Sequence, residues 1–269
     1  MKALAFFLGV PFLILSAHES NGRGTKAIAV ANAFVALSDN PWAVSYNPAG
    51  LAQIRSPVFA SFYVPQQFGV LELKTIAAST AIPFNFGTVG AFVEQFGFDL
   101  YRTTNIGLGC GFDPVERISV GATIDVEEIE IERYGVSRNV TLDVGFLGKP
   151  SANLAIGFCI KNVTAATIGT YRERLPQYVL MGASYSPFKG FSLVAELEKD
   201  IQFPLVVKVG IEQNVFEFLS LRCGIADNPD KFSAGMAVRY ASVEFGYAGY
   251  SHPDLGWTHQ IEVTIQWDR

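Results

Sequence analysis

The amino-acid sequence predicts an all-β fold: a transmembrane antiparallel β-barrel of about 14 strands with a short N-terminal helical hatch, or plug, in its mouth. Three observations carry this prediction. Apolar residues alternate with polar or small residues along most of the chain. After the first 17 residues, no apolar run reaches the roughly 18 residues expected of a membrane helix. The predicted strands are also mostly longer than the about five or six residues of an average globular strand.

The N-terminal 17 residues have the features of a secretory signal peptide. Lys2 precedes an apolar run from residue 3 to residue 15, and Ser16 and Ala17 provide small residues for cleavage. A membrane anchor is the alternative, but the run contains Pro11 and is shorter than the roughly 20 residues of a spanning helix. We therefore expect residues 1–17 to be a signal peptide, 18–56 a hatch segment and 57–269 the barrel.

The hatch segment lacks sustained alternation between residues 26 and 55. It contains two places where a polar residue precedes proline, which suits a helix N-cap followed by proline in the first turn. Two short helical turns joined near Asn47 are predicted to fold into the barrel mouth, with a simple periplasmic tether as the alternative. The residues predicted to form this hatch motif are Asn40, Pro41, Trp42, Asn47, Pro48 and Gly50.

The strands are predicted from their period of two. Leu205, Val207 and Ile211 fall on one face of a segment whose other face carries Lys208 and Glu212. The candidates are residues 57–65, 70–82, 86–96, 102–112, 117–127, 138–148, 153–162, 176–186, 190–199, 203–213, 218–226, 231–240, 241–249 and 259–267. A two-sheet sandwich also alternates, but strands this long and numerous would usually form two domains.

The connections between these strands alternate in length. Turns at 83–86, 113–117, 149–153, 186–190, 214–218 and 239–242 are short, whereas those at 132–139, 162–176 and 248–257 are longer. Tight periplasmic turns and longer outer loops are typical of an outer-membrane barrel. We therefore expect the outward face to contact membrane lipid.

The inward face is predicted to carry charges of both signs, which could pair across neighbouring strands in a wet lumen. These lumen charges are Asp125, Asp143, Glu196, Lys208, Glu212, Arg222, Arg239, Glu244 and Glu262. Glycines share the same phase. They either leave room for the hatch or ease strand curvature and bulges.

Aromatic residues cluster near the predicted strand ends, where they suit the membrane–water boundaries. Three of them, Phe92, Phe96 and Phe98, could instead line an apolar pocket inside the barrel. A girdle at the interface is the favoured interpretation of the whole set.

Catalysis finds little support in the sequence. The three histidines, His18, His252 and His259, match no metalloprotease pattern, and no nucleophile-elbow or phosphate-loop motif occurs. Cys110, Cys159 and Cys223 lie in separate predicted strands and suit small apolar positions. With a formal charge of -5, the chain is also a poor candidate for binding nucleic acid. We expect a non-enzyme with no cofactor.

Residues 33–52, which contain Ser38-Asp39-Asn40-Pro41-Trp42 and Asn47-Pro48-Ala49-Gly50-Leu51, resemble the N-terminal signature of the PorV/PorQ outer-membrane proteins. That group is distantly similar to the FadL long-chain fatty-acid transporters. The resemblance implies a 14-stranded barrel with an N-terminal hatch. It also implies one of two roles: passing hydrophobic molecules across the outer membrane, or partnering a secretion or surface-attachment machine. The alternating residues 261–267 resemble the C-terminal signal of barrel assembly.

The sequence therefore predicts a protein of the Gram-negative outer membrane, delivered there after signal-peptide cleavage. Its hypothesised role is that of a partner or cargo-handling subunit in a surface complex, such as one of type IX secretion. The first alternative is passive transport of a hydrophobic ligand. The second is a soluble secreted β-rich binding protein.

Overall fold

The computed structural model describes residues 22–168 and 173–267. Its barrel strands are β1 (Val58–Val64), β2 (Lys74–Phe84), β3 (Gly87–Phe98), β4 (Tyr101–Val115), β5 (Ile118–Ile131), β6 (Gly135–Ser151), β7 (Leu154–Lys161), β10 (Tyr178–Tyr185), β11 (Phe191–Asp200), β12 (Leu205–Phe216), β13 (Leu219–Ala226), β14 (Lys231–Tyr240), β15 (Val243–His252) and β16 (Gly256–Gln266). A small hairpin, β8 (Thr167–Ile168) with β9 (Glu173–Arg174), lies between β7 and β10. The predicted signal peptide, with His18, lies outside the described residues.

The 14 barrel strands form a closed antiparallel sheet in which β1 pairs with β16. This confirms the predicted fold class and excludes the two-sheet sandwich. Apolar residues of the strands point outward, as Leu108 and Ile124 show with 61% and 54% exposure. An apolar outer surface suits contact with hydrocarbon. Closure of the barrel also leaves no strand edge with unpaired backbone groups. None of the described helices is long and apolar enough to cross a membrane.

The two ends of the barrel differ in their connections. At one end, here called the short-turn end, tight turns such as residues 85–86 and 116–117 join the strands. At the other, the long-loop end, lie the longest connections, residues 65–73 and 162–177.

Two of the connections that were predicted to be long are short in the structure. The connection predicted at 132–139 is reduced to residues 132–134, because β5 and β6 remain paired as far as Ile131 and Gly135. The connection predicted at 248–257 is likewise reduced to residues 253–255, because β15 and β16 pair as far as His252 and Gly256. The hairpin β8–β9 was not predicted.

The plug, residues 22–56, fills the barrel interior. It contains helix α1 (Thr25–Ala29), helix α2 (Ala43–Tyr46) and a 3-10 helix (Pro48–Gln53). The two turns predicted from proline are present: Asn40 Oδ1 accepts the Trp42 amide at 3.0 Å, and Asn47 caps the 3-10 helix through the Ala49 amide at 3.2 Å. Helix α1 was not predicted. The main hydrophobic core lies between the plug and the wall, where the Trp42 and Phe62 rings meet at 5.0 Å.

Candidate functional site

A belt of inward-facing glycines runs around the barrel at the level of the plug. An added Cβ on Gly121 would lie 2.4 Å from the Pro48 carbonyl carbon, and one on Gly157 would lie 2.2 Å from the Val35 oxygen. The glycine belt comprises Gly90, Gly111, Gly121, Gly145, Gly157, Gly182, Gly210, Gly224, Gly235 and Gly246. These glycines therefore allow close approach of the plug, whereas Gly107 and Gly109 face side chains of the wall.

Two buried carboxylates of the wall bind backbone amides of the plug. Glu196 Oε2 on β11 accepts the Phe34 and Val35 amides, each at 2.8 Å. Glu262 on β16 accepts the Thr25 amide and the Trp42 indole Nε1, the latter at 3.0 Å. Hydrogen bonds to a charged acceptor are among the stronger ones in proteins. The two carboxylates thus fix the first half of the plug to two separate strands of the wall.

Donors of the wall bind carbonyl oxygens of the plug. Lys161 Nζ donates to Ser45 O at 2.7 Å, and Thr123 Oγ1 donates to Val44 O at 2.7 Å. Asn47, within the plug, donates to Val35 O at 2.7 Å and to Phe146 O of the wall at 3.0 Å. Backbone groups of this irregular segment therefore find partners although they lie inside the barrel, away from the strand ladders.

Ion pairs connect the remaining lumen charges. Lys26 of the plug lies 2.7 Å from Asp39 and 3.2 Å from Glu212. Burial by itself lowers the pKa of Lys26, but the carboxylates of Asp39 and Glu212 outweigh burial and raise that pKa overall. Arg222 reaches Glu212 at 2.6 Å, which continues the network across the wall.

Several of the lumen charges form ion pairs between neighbouring strands. Lys208 lies 3.0 Å from Glu196, and Arg239 lies 2.6 Å from Glu244. The Arg239 side chain is 60% exposed, so it lies at the short-turn end of the barrel rather than deep in the lumen. What the sequence did not indicate is that Glu196, Glu262 and Lys161 bind the plug backbone.

The hatch-motif residues are brought together in the plug. Trp42, Asn47 and Pro48 are buried, and the Cβ position of Gly50 would lie 2.2 Å from Ser38 O. Only glycine permits that approach between two stretches of the plug. Asn40 and Pro41 begin the turn that leads into α2.

A cavity of about 200 Å³ lies above the plug at the long-loop end. Arg23 and Tyr46 of the plug form part of its lining, and the wall supplies charged and aromatic residues. Burial raises the pKa of the Tyr46 hydroxyl, which accepts the Arg23 amide at 2.7 Å and donates to Asn32 Oδ1 at 2.9 Å.

This cavity differs from the predicted apolar pocket. Phe92 and Phe96 line it, whereas Phe98 is not among its lining residues. The Arg23 guanidinium covers the Phe92 ring at 4.5 Å, so even this aromatic face contacts a charge. Asp125 and Asp143, predicted as lumen charges, also line the cavity. The sequence offered no signal for Gln67, a loop residue in the lining.

The two histidines among the described residues, His252 and His259, make hydrogen bonds to neighbouring groups. His252 Nδ1 accepts the Asp254 and Leu255 amides, and His259 pairs with the Tyr247 hydroxyl at 2.7 Å. Among residues 22–168 and 173–267, no group of three or more His, Cys, Asp or Glu is arranged to hold a metal. Cys110 and Cys223 are exposed on the outer wall, and Cys159 is buried.

Comparisons with known proteins identify the fold. No family model matches the sequence, and no curated protein matches it. The Ralstonia pickettii toluene transporter TbuX superimposes with a TM-score of 0.67 at 12% identity, covering 91% of this chain and 97% of that one. A Pseudomonas aeruginosa FadL homologue gives 0.67 at 12% identity, covering 91% and 98%. The CymD monoaromatic hydrocarbon channel gives 0.66 at 11%, covering 93% and 98%. The chain therefore has the fold of FadL-type outer-membrane barrels.

Proposed function

We propose that the protein is a non-enzymatic barrel of the bacterial outer membrane that admits small molecules with apolar or aromatic parts, and that its plug controls their passage. The observation that carries this proposal is the aromatic-lined cavity directly above the plug. The apolar outer wall supports the membrane location.

The route follows from the closed wall. Hydrogen bonds join every neighbouring pair of the 14 barrel strands. A molecule that leaves the cavity along the barrel axis must therefore pass the plug, and the plug must move. The glycine belt and the contacts of Glu196 and Glu262 hold the closed state.

The structural neighbours support transport over the other hypotheses. They include a toluene transporter and a monoaromatic hydrocarbon channel. Since the shared identity is only 12% or less, we take from them the class of function and no ligand.

The proposal is tested by locking the plug with a disulfide. The Cβ position of Gly246 lies 3.2 Å from the Thr25 Cβ, close to the about 3.5–4.5 Å of disulfides. In Thr25→Cys/Gly246→Cys, oxidation should join α1 to β15 and hold the plug closed. Uptake of labelled toluene, a small aromatic amine and a small aromatic acid is then measured in cells before and after reduction.

We expect at least one tracer to enter faster through the reduced protein than through the oxidised one. Each single-cysteine variant is the control, and its uptake should not depend on oxidation. Equal uptake by the locked and the reduced protein would refute control by the plug. Uptake of every tracer at the level of cells without the protein would refute transport itself.

A second candidate function is that of a partner or cargo-handling subunit in a secretion or surface complex. It is favoured by the tightly held plug. A lumen that is occupied by a plug suits a protein that binds partners through its surface rather than one that conducts molecules through a pore. Purification from native membranes followed by mass spectrometry tests it. Recovery of the protein without a constant companion would remove this candidate.

A further inference from the structure

The cavity above the plug carries more negative than positive side chains. Among residues 22–168 and 173–267, its lining includes four carboxylates, Glu94, Asp125, Glu127 and Asp143, but two cationic side chains, Arg23 and Lys161. This imbalance alone does not define a ligand, because acidic residues can be solvated or paired.

Both cations are already engaged. Arg23 makes two hydrogen bonds with the Glu94 carboxylate, each of 3.1 Å, and Lys161 donates to Ser45 O at 2.7 Å. Asp143 accepts the Asn162 amide at 2.8 Å. The Asp125 carboxyl also interacts with the neighbouring Asp143 carboxyl, but its Oδ1 is buried and has no hydrogen-bond partner among the described residues.

A second acceptor without a partner lines the same cavity. Gln67, in the loop between β1 and β2, is only 5% exposed, and its Oε1 has no hydrogen-bond partner among residues 22–168 and 173–267. Buried acceptors of this kind are rare in native proteins, because losing water without gaining a donor is unfavourable. Two such oxygens at one cavity indicate a ligand that brings N–H donors.

The remaining lining suits a hydrophobic body. Rings of Phe96, Tyr101, Tyr178 and Tyr250 contribute to it. Aromatic faces attract cations as well as apolar groups, as the Lys231 ammonium shows 4.2 Å from the centre of the Tyr250 ring. The volume of about 200 Å³ is below the roughly 300–1,000 Å³ of pockets for drug-sized ligands, so the ligand is small.

We infer that this cavity selects small organic cations, with an ammonium group bound by Asp125, Gln67 as a second acceptor in the same lining, and an apolar or aromatic body packed against the rings. The inference deepens the proposed function and rests on it for the route across the membrane. It also implies that a small aromatic anion is rejected, since its carboxylate would face unpaired acceptors and like charges.

Three probes of similar shape test this selectivity: phenethylamine, 3-phenylpropionate and ethylbenzene. Binding to the full protein in lipid nanodiscs is measured by calorimetry and by ligand-observed NMR, with empty nanodiscs correcting for partition into lipid. We expect phenethylamine to bind at least about tenfold more tightly than the other two. Absence of phenethylamine binding, or equal or tighter binding of ethylbenzene or 3-phenylpropionate, would overturn the inference.

Two variants locate the site. Asp125→Asn keeps the shape and removes the charge, so phenethylamine binding should weaken by roughly tenfold to 100-fold while ethylbenzene binding changes little. Gln67→Met removes the loop acceptor and should weaken amine binding by severalfold, which keeps the site testable should Asp125→Asn fail to fold. Glu116→Gln, whose side chain is 90% exposed in a turn at the other end, is the matched control. Unchanged amine affinity in both cavity variants would contradict the assignment.

The outcomes separate this inference from the proposed function. If toluene crosses when the plug is released but phenethylamine does not bind, transport stands and the cation selectivity fails. If phenethylamine binds in the cavity and no tracer crosses the membrane in any state of the plug, the cation-binding site is supported and the proposed transport function is refuted.

Discussion

Replacing Glu196 with leucine should release the middle of the plug from the wall. Glu196 is 2% exposed, and its Oε2 accepts the Phe34 and Val35 amides at 2.8 Å. Leucine fills similar space but accepts no hydrogen bond, so the Val35 amide loses its partner, whereas the Phe34 amide keeps a hydrogen bond to Asn32 O at 2.9 Å. At about 1–3 kcal/mol for the one stranded amide, the closed plug should lose about 1–3 kcal/mol. Lys208 retains Glu198 at 2.6 Å, which limits the damage to the wall.

Hydrogen exchange of the plug amides, followed by mass spectrometry in nanodiscs, measures this loss. Since about 1.4 kcal/mol corresponds to a factor of ten, exchange at residue 35 should accelerate by roughly fivefold to 100-fold. Glu198→Leu is the matched control, because it removes the other partner of Lys208 and leaves the plug amides bound. Unchanged protection in Glu196→Leu would show that this carboxylate does not hold the plug.

Three further predictions concern the plug and the wall. In Gly121→Ala the new Cβ would lie 2.4 Å from the plug backbone, so the plug amides should exchange faster. Gly148→Ala is the control, because the atom nearest to its new Cβ is a ring carbon at 3.3 Å, and exchange should stay as in the parent protein. Asn47→Ala removes a cap and two bonds to carbonyl oxygens, and the same experiment should show a loss of about 1–3 kcal/mol. Ile124→Arg places a charge on the lipid face and should lower barrel stability in vesicles by about 2–4 kcal/mol in urea titration, while Tyr134→Arg, at an 88% exposed loop position, should not.

The barrel was predictable because its signal is local. A period of two along each strand separates outward Leu, Val and Ile from inward polar residues, and closure follows from the number and order of such segments. Strand ends were less predictable. Residues 127–131 are rich in glutamate, which suggests a loop, yet β5 continues through them because Glu128 and Glu130 pair with partners on neighbouring strands.

The site was only partly predictable, since its contacts link residues distant in sequence. The phase of Glu196 and Glu262 placed them inside the barrel, but nothing local indicates that their partners are amides 162 and 237 residues away. The turns at Asn40 and Asn47 could be predicted because a helix cap is formed by residues that are close together in the sequence. Gln67 carried no pattern at all.

The last helix of the plug ends at Gln53, and residues 54–57 connect it directly to the first strand; Thr88 Oγ1 donates to Ile54 O at 3.2 Å at that junction. With so short a connection, this end of the plug stays beside the wall, so we expect movement to begin at the far end, around Arg23, and to progress towards Ile54. Permeation would then be limited by partial unfolding of one segment, and its rate should rise with temperature as steeply as an unfolding reaction, unlike diffusion through a fixed pore.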